Sequence, residues 1–153
     1  MTDSGQCLHI TTNLVIFTST CEQMKGYWLN HYFPKMIEKS IAQMPSLKFI
    51  EDNLSSNGFE IVEKEKYFIQ EDLEDCFLYA GKNRPQIYFN EEIRKGISSF
   101  SSLANIEEVY SGLANLKQDM ENNNFEKIKK QYENNMGDYL FIHAQKQVNI
   151  RHS

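Results

Sequence analysis

Three hydroxyls, Thr18, Ser19 and Thr20, follow directly on the apolar run Leu14–Phe17. Hydroxyls that leave the carboxyl end of a parallel strand stand where open α/β sheets place their ligands. The triplet therefore reads in two ways: as substrate contacts, or as the cap of a helix opening near Glu22. A second group lies in "GYWLNHYFP", residues 26–34, where Tyr27, Trp28, His31, Tyr32 and Phe33 bring several rings together. Such a cluster either walls a pocket for a planar or apolar substrate or packs as a helix–loop corner. Arg94 has the chemistry to pair with an anionic substrate group, or stands solvated at the surface, and Ser98 and Ser99 add hydroxyls beside it. Among general-base candidates, His31 lies outside any strand pattern, while His143 falls inside the last apolar run and reads as structural. Glu71, Asp72, Glu74 and Asp75 read as a solvated acidic loop. No residue is singled out as catalytic.

Several chemistries are disfavoured at this level. The three cysteines, Cys7, Cys21 and Cys76, are odd in number and form no Cys-x-x-Cys pair, which points away from a disulfide framework or a zinc site and towards a reducing cytoplasm. The four histidines lack ligand spacing, so no metal is expected. Sixteen basic residues against 21 acidic ones give a formal charge of -5, with the signs interleaved as in "EKEK" at 63–66, so nucleic acid is not an expected partner. No stretch approaches the length of a membrane span, and no signal-like leader is seen at the N-terminus. With 153 residues, 41% of them hydrophobic, one domain with its own core is expected.

The elements that must position these groups follow from periodicity. Leu14–Phe17 runs without alternation and predicts a strand covered on both faces, over residues 14–20. Residues 22–30 predict a short helix, and Pro34 suits the first turn of another reaching about Met44. Leu47, Ile50 and Leu54 recur at helical spacing, and Asn57-Gly58 ends that helix. A strand over 59–69 with a charged, edge-like middle follows. Residues 70–101 predict loop with short helical pieces. Asn105 and Glu108 form a capping-box pattern before the face Ile106, Val109, Leu113, Leu116 and Met120. Phe125, Ile128 and Tyr132 mark a further helix stopped by Gly137, and "DYLFIHAQK" predicts a final strand over 139–146 with a frayed tail at 148–153. The order indicates an α/β domain.

"LVIFTST", the helix ending in "SSNGFEIVE" and the closing "GDYLFIHAQK" together resemble the C-terminal half of a class I S-adenosylmethionine-dependent methyltransferase, over residues 14–147. The resemblance implies a partial Rossmann-like fold: a three-stranded mixed half-sheet in which 14–20, 139–146 and 59–69 are consecutive neighbours, with flanking helices. It also implies a helical insertion at about 84–136, before the last strand, through "IRKGISSFSSLANIEEVYSGLANL". Residues 1–13 match nothing in that pattern beyond one weak strand near Leu8 and Ile10. The strands that precede residue 14 in the family, with their glycine-rich turn and ribose-binding acid, have no counterpart: Gly5 is the sole glycine ahead of Gly26.

Two functions follow as expectations. In the first, the chain is the substrate-side half of a methyltransferase, inactive alone and unable to bind S-adenosylmethionine by itself, with Thr18, Ser19, Thr20, Trp28, His31, Tyr32, Arg94 and Ser98 as substrate contacts and an unspecified methyl acceptor as partner. In the second it is a noncatalytic binding module derived from such an enzyme. Either way, the uncharged strand 14–20 is expected to expose an edge and promote self-association.

Overall fold

A computed structural model describes residues 7–70 and 77–151. Three strands form one sheet in the order β1 (Cys7–Thr18), β3 (Tyr139–Arg151), β2 (Glu60–Tyr67). This is the neighbour order the resemblance implies, but both ladders are antiparallel, so the sheet is not mixed. Leu14, Ile16 and Thr18 face Ala144, Ile142 and Leu140 across one ladder. In the other, Val62 is the extra residue of a bulge between the Ile61–Ala144 and Glu63–His143 pairs.

Alternation along the strands divides the sheet into two unlike faces. Leu140, Ile142 and Ala144 turn towards helix α4 (Leu47–Ser56), where Leu47, Ile50 and Leu54 pack on them together with Ile16, Phe59 and Ile61. The other face carries a ladder of rings, with Phe17 stacked on Tyr139 at 4.5 Å and tilted against Phe141 at 4.6 Å. The expectation that residues 14–20 form a strand covered on both faces is overturned: Val15 is 62% and Phe17 42% exposed. The reason is geometric, since β1 is an edge strand with a helix on one face only. The strand is also longer and displaced, starting at Cys7 and ending at Thr18, because Cys7–Thr12 pairs with Lys146–Arg151 as a two-stranded extension. Residues 148–151 therefore belong to β3 rather than to a frayed tail.

Most of the helical mass packs beyond the end of the sheet where β1 finishes. Helices α1 (Cys21–Lys25), α2 (Leu29–Tyr32), α3 (Pro34–Gln43), α5 (Glu91–Lys95), α6 (Ile106–Glu121) and α7 (Phe125–Gln131) are joined there by 3-10 turns at Leu78–Gly81 and Pro85–Phe89 and a π-helical turn at Ser99–Leu103. Their core is rich in rings, with Tyr27, Trp28, Phe33, Tyr79 and Tyr88 each at most 2% exposed. The helix expected over 22–30 splits at Gly26, whose N–H bonds the Glu22 and Gln23 carbonyls and closes α1. At the end of α4, the Phe59 N–H reaches the Leu54 carbonyl at 2.8 Å and the Gly58 N–H that of Ser55 at 3.0 Å. Gly58 takes the left-handed φ of 79° that this double closure requires.

Glu108 departs from the capping-box expectation. Asn105 does cap α6, through the Glu107 N–H, but the Glu108 carboxylate accepts from the N–H groups of Lys35 at 3.0 Å and Met36 at 2.9 Å. It thus caps the N-terminus of α3 from another helix. Gly137 likewise does not stop α7, which ends at Gln131; with φ 77° it turns the chain into β3. The acidic stretch Glu71, Asp72, Glu74 and Asp75 lies outside the described residues. Among the described residues no helix is long and apolar enough to cross a membrane.

Candidate functional site

A cavity of about 420 Å³ opens where β1 ends. Its floor is the sheet end, Phe17, Thr18, Ser19 and Tyr139; its walls are Met24 of α1, Ser40, Gln43 and Met44 at the end of α3, Phe77–Tyr79, and Ile97–Ser99 with Ser102 and Leu103 of the π-helical turn. The volume falls in the range of small-molecule sites.

Hydrogen bonds hold this shape. Ser19, 5% exposed, donates to the Asp138 carbonyl at 2.8 Å, and its Oγ lies 2.7 Å from the Tyr79 phenol. A serine has one hydrogen to give, so Tyr79 must be the donor to Ser19. The Asp138 carboxylate, itself buried, accepts from the Ile69 N–H at 2.8 Å and pairs with Lys82 Nζ at 2.7 Å, while the Lys82 carbonyl accepts from Trp28 Nε1 at 3.1 Å. A second knot fixes the turn 78–81: Tyr88 donates to the Leu78 carbonyl and receives the Gly81 N–H at 3.2 Å, so Tyr27, 2.6 Å away, donates to Tyr88. On the far wall the Ser40 and Ser99 hydroxyls meet at 2.8 Å. Burial, above all, holds the phenols of Tyr27, Tyr79, Tyr88 and Tyr139 well above the ordinary tyrosine range.

The described lining contains no Asp, Glu, Lys, Arg or His. Thr18, Gln43, Ser98 and Ser102 make no side-chain hydrogen bond among the described residues and are the polar groups left to a ligand. The arrangement binds and orients; among the described residues its lining holds no carboxylate, amine or imidazole to act as a base, and the buried hydroxyl protons of Tyr79, Tyr88 and Tyr27 are all committed.

The sequence candidates separate into two groups in space. Thr18, Ser19, Ser98 and Ser99 come together at the cavity although about 80 residues apart. Thr20 caps α1 through a capping box with Gln23. Trp28 lies in the core, edge-on to Tyr88 and Phe125, and Phe33 packs on Phe100. Tyr32 donates to Asp119 at 2.8 Å. His31 is exposed beside Tyr32. Arg94 donates to the Tyr88 carbonyl at 2.7 Å and borders a different depression, with Phe100 and Tyr110. His143 lies 2.9 Å from Asn13 on the open sheet face. The sequence did not single out Tyr79, Met24, Met44 or Tyr139, nor the Asp138–Lys82 pair behind them; Met24, Met44 and Tyr139 read as parts of predicted elements, and Tyr79 stands in an aperiodic stretch.

A crystal structure at 2.40 Å resolution of a protein from Anabaena variabilis ATCC 29413, assigned there as a methyltransferase from an antibiotic biosynthesis pathway, has this fold, with a TM-score of 0.69 and 30% identity. The fold is methyltransferase-like. The match covers 86% of this chain but 53% of the Anabaena chain, so the present chain spans about half the length of that protein. No family model and no curated protein matches the sequence.

Methyl transfer in this fold implies S-adenosylmethionine. That molecule carries a ribose diol and a zwitterionic amino-acid end, which call for a carboxylate acceptor and a charged or N–H donor set. The described cavity lining has no carboxylate for the diol and no charged pair for the amino-acid end, only neutral hydroxyls and the Gln43 amide, so the cofactor does not fit here. Among the described residues no group of three His, Cys, Asp or Glu is placed to hold a metal ion.

Proposed function

We propose that this chain is the acceptor-binding side of a class I S-adenosylmethionine-dependent methyltransferase, with a partial Rossmann-like fold, and that the cofactor is held by polypeptide outside residues 14–147. The observation that carries this reading is the cavity at the carboxyl end of β1, lined by Thr18, Ser19 and Ser98, in a fold shared with an assigned methyltransferase. When bound, the cofactor supplies a methyl group on a sulfonium centre. What this chain contributes is placement: transfer from such a centre depends mainly on holding the acceptor in line and excluding water, tasks suited to a rigid, largely apolar cavity.

One observation favours the noncatalytic binding module instead: among the described residues the lining has no titratable acid or base other than buried tyrosines, a make-up suited to binding without chemistry. Calorimetric titration of the chain with S-adenosylmethionine bears on both readings. No saturable binding tighter than about 100 μM, roughly -5.5 kcal/mol, is expected. Tight binding by the chain alone would place the cofactor site within these residues and overturn the proposal.

A further inference from the structure

We infer that the cavity at the end of β1 takes an uncharged, ring-bearing apolar molecule with hydroxyl or carbonyl groups at its edge. This rests on the reading of the cavity as the acceptor site and narrows what the acceptor is. The first ground is charge. No formally charged side chain lines the described walls, and Asp138, the carboxylate behind the floor, is already neutralised by Lys82 and bonded to the Ile69 N–H. Its backbone carbonyl is taken by Ser19. A ligand carboxylate, phosphate or ammonium entering this space would lose its hydration and find no counter-charge on the described walls, a penalty that a neutral molecule avoids.

The second ground is the shape and polarisability of the walls. Phe17 and Tyr139 are stacked at the floor, and Tyr79 stands edge-on to Tyr139 with centroids 5.1 Å apart. Met24 and Met44 border the same space. Ring faces and edges beside flexible thioethers suit a flat π-system and adapt to its outline. The third ground is the position of the free polar groups. Ser98 and Ser102 are four residues apart around the π-helical turn, Thr18 is at the strand end, and none of their hydroxyls has a partner among the described residues. They can donate to a carbonyl or accept from a hydroxyl without carrying charge.

Fluorescence titration of the full 153-residue chain at neutral pH, with a naphthol, a naphthoate and a naphthylmethylammonium as shape-matched probes, tests the inference. The naphthol should bind saturably, and both ions at least about tenfold more weakly. Ser98→Trp and Ser102→Trp, at exposed positions on the wall, should each abolish naphthol binding while the circular dichroism spectrum and melting transition are retained. Ions that bind as tightly as naphthol, folded variants that keep its affinity, or no naphthol binding at all would overturn the inference. The titration contains no cofactor, so naphthol selectivity in a chain that still transfers no methyl group when joined to a folded, cofactor-binding partner half would sink the methyltransferase reading and leave this one standing.

Discussion

The Ser19 hydroxyl lies between the Tyr79 phenol, 2.7 Å away, and the Asp138 carbonyl, 2.8 Å away, tying the end of β1 to the 3-10 turn and to the start of β3. Because Ser19 must donate to the carbonyl, Tyr79 must donate to Ser19, and the two partners are not equivalent. Ser19→Ala orphans both the Tyr79 hydroxyl and the Asp138 carbonyl in a buried setting and should cost about 1–3 kcal/mol. Tyr79→Phe leaves Ser19 its acceptor and should cost less, about 1 kcal/mol. Urea unfolding of both variants measures the difference, and the reverse order would contradict the assigned donor directions.

Tyr27, Tyr79, Tyr88 and Tyr139 all have phenols pushed above the ordinary value of 10, with burial the leading cause in each. The unfolded chain ionises these groups near pH 10 and the folded chain does so only higher. Their contribution to stability is therefore whole below pH 10 and falls as pH rises above it, by about 1.4 kcal/mol per pH unit for each withheld ionisation. Absorbance at 295 nm should show these tyrosines ionising only together with loss of the folded circular dichroism signal. Their full ionisation in a chain that remains folded would contradict the burial described here.

Gly112 lies inside α6, where alanine is intrinsically better by about 1 kcal/mol. A Cβ there would meet the Tyr32 carbonyl oxygen and the Phe33 ring, both at 2.5 Å. The backbone oxygen cannot rotate away, so steric cost outweighs propensity. Gly112→Ala should destabilise by roughly 1–3 kcal/mol, and a stabilised variant in thermal unfolding would show that α2 and α6 are not in such close contact.

The chain leaves β1 as one edge of its sheet, and Cys7–Thr18 contains no Asp, Glu, Lys, Arg or Pro. The opposite edge, β2, carries Glu60, Glu63, Lys64, Glu65 and Lys66, the kind of charge that blocks strand addition. Self-association through β1 is the expected outcome. In sedimentation velocity the wild-type chain should shift to larger species with concentration, and Val15→Lys should raise the monomer fraction. A wild-type chain that stays monomeric throughout would contradict it.

Helices α3, α4 and α6 were legible because Pro34, Ser46, Asn57-Gly58 and Asn105 mark their ends and their apolar stripes face the core. Strand β3 was legible from the short apolar run Tyr139–Ile142 after Gly137. The burial of β1 was misread because Leu14–Phe17 is apolar on both sides, and hydropathy records what a face favours rather than what covers it. Its first half, Cys7–Thr12, gave little signal because it is held by pairing with β3 rather than by packing. At the site, Thr18 and Ser19 were readable from their position after a strand, and Ser98 from a serine-rich stretch. Tyr79 was not, because the turn 78–81 has no periodicity and owes its place to long-range bonds with Ser19 and through Tyr88.

The most direct test of an acceptor-binding role is methyl transfer itself. Under the proposed reading, the part of the Anabaena protein that this chain does not match supplies the cofactor side once fused to it, and radiolabelled S-adenosylmethionine would report transfer to a panel of neutral aromatic acceptors. The account predicts that the fusion transfers label to at least one acceptor, that neither part does so alone, and that Ser98→Trp in the fusion abolishes transfer while cofactor binding persists. A folded fusion that binds S-adenosylmethionine yet labels no acceptor, or whose transfer is indifferent to Ser98→Trp, would contradict it.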